Sequence, residues 1–190
     1  MADNVTPFPQ GVRHKNLKAD AFEKYMKAEG LNFFRRQDVH DSFDTVIFMT
    51  ALPAGTSHKV VTAVITNNSM YLLVRVHLGT CPKGPARQTF LDYINQLNGH
   101  HAIVKYSVER DDNVFLDVCV TSRDDRFDPS VVRTSLDLLV FHLKEYYDDI
   151  ARRLLFGDGG PADEYLLLAD FESYRDAHQR AGLAYQDPKR

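Results

Sequence analysis

Two stretches hold the side-chain types from which a reactive or metal-binding site could be built. FLDYINQLNGHH, residues 90–101, ends with His100 and His101 side by side, and DVHDSFD, residues 38–44, crowds Asp38, His40, Asp41 and Asp44 into one short segment. Imidazoles and carboxylates are the ligands of zinc and related ions, and the same groups act as general acids and bases. Neither stretch meets the further requirements of such a site. HAIVKYSVE (101–109) reads as a strand. Neighbouring residues of a strand point to opposite faces, so His100 and His101 cannot close on one ion, and no further ligand stands at zinc spacing nearby. The acidic loop lacks the glycine and terminal glutamate of an EF-hand and reads as a solvated turn. RDDN (110–113) and RDDRFD (123–128) also sit where turns belong. No phosphate-loop pattern, no G-x-G-x-x-G and no G-x-S-x-G occurs. The expectation is therefore no catalytic centre, no metal and no cofactor. The alternative is a metal-dependent hydrolase built on His40, Asp41 and Asp44.

The elements that would position these residues follow from composition and pattern. With 190 residues, 44% hydrophobic and 26% charged, the chain has the material for one domain with a core. A net charge of −3 without a basic run argues against direct nucleic-acid binding. No apolar run approaches a membrane span, and MADNVTPFPQG is no signal peptide. Cys81 and Cys119 form no C-x-x-C pair and read as free thiols. A cytoplasmic protein is expected.

Residues 1–15 read as a loose arm, 16–156 as the folded domain, and 157–190 as a linker with a short helix. Asn16 can cap a helix to about Glu29, with Phe22, Tyr25 and Met26 on its apolar stripe and Gly30 at its end. Strand patterns follow at 31–37, 43–52, 58–66 and 70–78, with PAG (53–55) as a breaker. Pro85 opens a second helix that docks through Phe90, Leu91, Ile94 and Leu97, and Asn98-Gly99 is read as its stop. Strands at 101–109 and 113–121 come next, then Asp128-Pro129 starts a long helix to about Leu155. Beyond GDGGP (157–161), Leu167, Phe171, Tyr174 and His178 recur at helical spacing. Runs of strands between few helices predict an α+β fold: an antiparallel sheet with helices mainly on one face and a C-terminal helical appendage.

The second and third strands are apolar on both faces. Phe43, Ile47 and Met49 oppose Val46, Phe48 and Leu52; Val60 and Val64 oppose Val61 and Ile65. A sheet covered on one side should be wetter on the other, so an appended helix, a second copy or a partner must cover this region. The candidate partner-binding residues are Phe33, Phe34, Val46, Phe48, Leu52, Val61, Ile65, Phe171 and Tyr174.

From Phe90 to about Leu155 the chain resembles the YbjN family of bacterial sensory-transduction regulators. The residues that carry the likeness are INQLN, HHAIVKYSVE, NVFLDVCVT and SLDLLVFHLKEYYDDIARRL, about a third of the chain. The resemblance implies a fold like that of type III secretion chaperones, a homodimer, and non-catalytic binding of another protein. The client would be a signalling, secreted or DNA-damage-response protein. The segment beyond Gly157 departs from the short family pattern. A small-molecule sensor with a pocket lined by Tyr106, Leu139 and Leu143 is a further alternative.

Overall fold

Asn16 opens the first helix and ties it to the sheet. Its side-chain oxygen accepts from the Ala19 amide at 2.9 Å, while its nitrogen donates to the Asp44 carbonyl and to Thr66 Oγ1. Such a cap satisfies an amide that has no partner within the helix. The computed structural model describes residues 16–123 and 126–156. In chain order these form α1 (Leu17–Ala28), β1 (Arg35–Asp38), β2 (Val46–Ala54), β3 (His58–Thr66), β4 (Tyr71–Thr80), α2 (Pro85–His100), β5 (Lys105–Val108), β6 (Asn113–Thr121) and α3 (Ser130–Phe156). The arm at 1–15 and the appendage at 157–190 lie outside the described residues.

The six strands make one antiparallel sheet in the order β1-β2-β3-β4-β6-β5. The fold is α+β, as expected. Alternation along each strand sends one set of side chains inward: Val46, Phe48 and Leu52 of β2, Val60 and Val64 of β3, Leu72, Val74, Val76 and Leu78 of β4, and Val114, Leu116 and Val118 of β6. These positions pair across the sheet, for example Phe48 with Val64, Val64 with Val74, and Val74 with Val118, so they share one face. All three helices pack there. Phe22 of α1 meets Phe48 edge-on at 5.1 Å, and Val132, Leu136, Leu139, Leu143, Tyr147 and Ile150 of α3 are buried in the same core.

Several boundaries differ from the sequence reading, among them the start of β2, which is Val46 and leaves Phe43 in the preceding turn. The first strand begins at Arg35, not Leu31: the Leu31 amide still bonds back to the Met26 carbonyl across Gly30 (φ +68°), and Phe34 packs on Phe22 at 5.7 Å. Pro53 lies inside β2. Since β1 pairs only as far as Met49, β2 has no neighbour on that side at Pro53, where a missing amide costs no ladder bond. Asn98-Gly99 does not stop α2, which runs to His100, and the following strand starts at Lys105.

Asn98 has another task. Its amide oxygen accepts from the Tyr106 amide at 2.7 Å and its nitrogen donates to the Tyr106 carbonyl at 3.0 Å. The two bonds imitate a neighbouring strand on the free edge of β5, where unpaired backbone would otherwise invite other chains. Lys105 Nζ reciprocates by donating to the Asn98 and His101 carbonyls at the end of α2, where a cation complements the helix dipole. Asn98→Ala leaves both Tyr106 groups without their partner and is expected to cost roughly 1–2 kcal/mol. A urea midpoint unchanged in that variant would show that the clamp contributes nothing.

Candidate functional site

The acidic loop is a turn held by its own side chains. Asp41 Oδ1 accepts from the Phe43 and Thr45 amides at 3.1 and 3.0 Å, and Oδ2 from the Thr45 hydroxyl at 2.7 Å. These bonds to Thr45 and Phe43 hold the Asp41 carboxyl below the ordinary carboxylate range. Asp44 sits at φ +50° and accepts from Asn68 Nδ2. His40 is exposed. Among the described residues no three His, Cys, Asp or Glu side chains are grouped to hold a metal ion.

The paired histidines do not begin a strand. His100 closes α2, its Nδ1 at 2.8 Å from the Gln96 carbonyl. His101 turns inward instead. Its ring meets His142 of α3 edge-on at 4.5 Å and Tyr146 at 5.2 Å, and its Nε2 is buried without a hydrogen-bond partner. Tyr106 Oη and His142 Nε2 share a 2.6 Å hydrogen bond. Tyr106 and His142 are 5% and 3% exposed, so this cluster lies inside the α2–α3–β5 junction. Burial first, and then the His101 imidazole, lower the His142 pKa from 6.5 to about 4, so His142 is neutral near pH 7. Burial pushes the Tyr106 phenol well up. Leu139 and Leu143, read as lining a sensor pocket with Tyr106, are fully buried core residues.

The surface that no described helix covers is the opposite face of the sheet. Its middle is formed by Ile47 and Met49 of β2, Val61, Ala63 and Ile65 of β3, and Leu73 of β4, all half-buried. Ile47, Ile65, Leu73 and Cys119 stand in one row across four strands, and Cys119 is exposed. Charge flanks the apolar centre. Arg75 binds Asp117 through two bonds of 2.9 Å, reaches Glu109 at 2.6 Å, and lies over the Phe115 ring at 4.4 Å. Arg35 and Lys59 are exposed on the same face, opposite Met49 and Pro53 in the register. Among the described residues neither has an ion-pair partner.

The residues singled out from sequence fall into four groups. Val61 and Ile65 are on this open face. Val46, Phe48 and Leu52 are not: they are 4%, 1% and 7% exposed beneath the helices and do not form a partner surface in this fold. Phe33 is 57% exposed beside β1, and half-buried Phe34 packs between Phe33 and Phe22. Phe171 and Tyr174 lie outside the described residues. Ile47 and Met49, which the sequence shows as one apolar face of the strand, are not among the partner-binding candidates, and neither are Leu73, Arg35 and Lys59. The strict alternation of β4 was the available signal, because its buried set (Leu72, Val74, Val76, Leu78) fixes through register which parity of β2 and β3 is covered.

No helix among the described residues is long and apolar enough to cross a membrane. No family model matches this chain, and no curated protein matches it.

Proposed function

We propose that this protein is a non-catalytic protein-binding module, a chaperone or regulator of the kind the YbjN resemblance implies, and that it receives its partner on the open face of the sheet. The observation that carries the reading is the placement of all three helices on one face, which leaves Ile47, Met49, Val61, Ile65 and Leu73 uncovered by any described element. A half-buried apolar centre with polar margins is the usual composition of a recognition surface. Arg35 and Lys59, exposed and without an ion-pair partner among the described residues, add a preference for an occupant that is apolar on one side and acidic at its edges.

Affinity capture from native lysate with the full chain and with an Ile65→Asp variant tests this. The expected result is a specific protein recovered in near-stoichiometric amount by the parent chain and lost from the variant, with circular dichroism unchanged. Equal recovery by both chains would place binding elsewhere. Light scattering reads the homodimer on the same pair: a dimer through this face becomes a monomer in Ile65→Asp.

A further inference from the structure

We infer that the meeting point of α2, β5 and α3 is an acid-operated latch: a proton gained by His142 unlocks Tyr106, and the edge strand β5 leaves the sheet together with the end of α2 while the other strands stay paired. The latch is independent of the open sheet face and of any partner received there.

One hydrogen bond has to reverse when His142 is protonated. Tyr106 Oη and His142 Nε2 lie 2.6 Å apart, and the phenol, which burial keeps protonated, is the donor. Neutral His142 accepts through Nε2, whereas an imidazolium can only donate. The phenol oxygen would then have to accept, and its own proton would lose its acceptor. Tyr106 is buried, and its hydroxyl has no second hydrogen-bond partner among the described residues. One added proton therefore strands a buried hydroxyl, which costs free energy as long as the junction stays closed.

The charge itself meets no counter-charge. His101, at the end of α2, presents its ring edge-on to His142 at 4.5 Å, and its Nε2 is buried without a partner. The other titratable groups at the junction are Tyr146 on α3, 4.7 Å from the His142 ring, and Tyr93 on α2, whose neighbour Asp149 is held by Arg152 and Arg153. Lys105 of β5 adds a cation, bonded to the Asn98 and His101 carbonyls. Among the described residues no carboxylate pairs with His101 or His142; His58, the other buried histidine, belongs to the β2–β3 hairpin tip and faces Asp148.

The sheet order decides what gives way. β5 is four residues long, pairs only with β6, and is held on its free side by the two Asn98 bonds. Tyr106 is its fully inward-turned residue, so the latch sits on its anchor. β6 keeps β4 as a partner from Thr121 to Asn113, and β3 and β4 each have two neighbours. Local opening takes the elements with the fewest such ties. The departure of β5 bares the backbone groups of residues 114–117, and a bared strand edge is a site of pairing with other chains.

Amide exchange followed by NMR on the full chain, corrected for the intrinsic rate at each pH, tests the latch. With the His142 pKa at about 4 in place and 6.5 once released, protection of Lys105–Val108 should fall roughly 50-fold between pH 7 and pH 4.5. At pH 4.5 these amides should be at least ~10-fold less protected than residues 60–64 of β3. His142→Gln, which cannot be protonated, should hold β5 protection nearly constant over the same range. Protection of β5 that is independent of pH in the parent would overturn the inference. So would one common protection level for β5 and β3 at pH 4.5, since the whole fold would then be opening at once, and so would an equal fall in His142→Gln. The first two outcomes are read on the parent alone and decide the matter even where the variant does not fold.

Discussion

Gly55→Ala is expected to lower the free energy of unfolding by roughly 2–3 kcal/mol, from two separate causes. Gly55 has φ +52°, where an L-residue with a β-carbon is disfavoured by about 1–2 kcal/mol. The added carbon would also stand 1.8 Å from Asp148 Oδ1 and 2.6 Å from its Cγ, so the carboxylate must swing away. That carboxylate accepts from the Thr56 amide at 3.0 Å and lies 3.6 Å from His58 Nδ1, while the Gly55 amide donates to the Leu143 carbonyl at 3.1 Å. The β2–β3 hairpin tip is thus fastened to α3 by two groups, the Asp148 carboxylate and the Leu143 carbonyl, and losing the Asp148 contacts costs about 1 kcal/mol more. Guanidinium denaturation reads the sum. A double-mutant cycle separates the causes: adding Asp148→Ala to Gly55→Ala should cost less than Asp148→Ala in the parent, because it relieves the clash and the displaced carboxylate has already lost its contacts. A parental midpoint for Gly55→Ala would refute the fastening.

The second large effect is on pH dependence. The folded-state pKa of His142, about 4, lies below its unfolded value of 6.5. The unfolded chain therefore binds the extra proton first, and stability is lost as pH falls. The contribution is fully present above pH 6.5 and disappears on acidification to about pH 4, amounting to roughly 3 kcal/mol. Carboxylates held low by hydrogen bonds, such as Asp41 and Asp149, lose their contributions mainly below this window. His142→Gln keeps a polar partner for Tyr106 but cannot be protonated. The stability of the parent to urea should fall markedly between pH 7 and pH 4.5, and the variant should be spared most of that loss. Identical slopes in both chains would assign the pH response to other groups.

The reading of the histidines shows where local pattern stops. FLDYINQLNGHH was legible as a helix that docks through Phe90, Leu91, Ile94 and Leu97; Phe90, Ile94 and Leu97 are buried and Leu91 is half-buried. Its end was misplaced because Asn-Gly is a frequent stop signal, whereas here Asn98 is held in the helix by its bonds to Tyr106, a residue of the next strand. His101 was assigned to an extended strand on local grounds. Its actual neighbours, His142 and Tyr146, stand some forty residues away on α3, and no spacing rule connects them.

The candidate partner surface divides in the same way. Alternation within β2 and β3 showed two apolar faces, but each face was as hydrophobic as the other, so the inward one could not be chosen from those strands alone. Register with β4 and the arrival of Phe22 and α3 made the choice, burying Val46, Phe48 and Leu52 and leaving Val61 and Ile65 outside.

By itself, then, the sequence determined the order and type of the elements, the α+β class, the Asn16 and Asp128 caps and the β4 alternation, all of which arise from interactions within a few residues or from a simple period. Tertiary structure alone decided which sheet face is open, that Asn98 seals an edge strand, and that Asp148 and His142 become sensitive positions. Those outcomes depend on groups 8 residues apart for Asn98–Tyr106, 36 for Tyr106–His142 and 92 for Thr56–Asp148. Chain packing sets such distances, and neither propensity nor periodicity carries information about them.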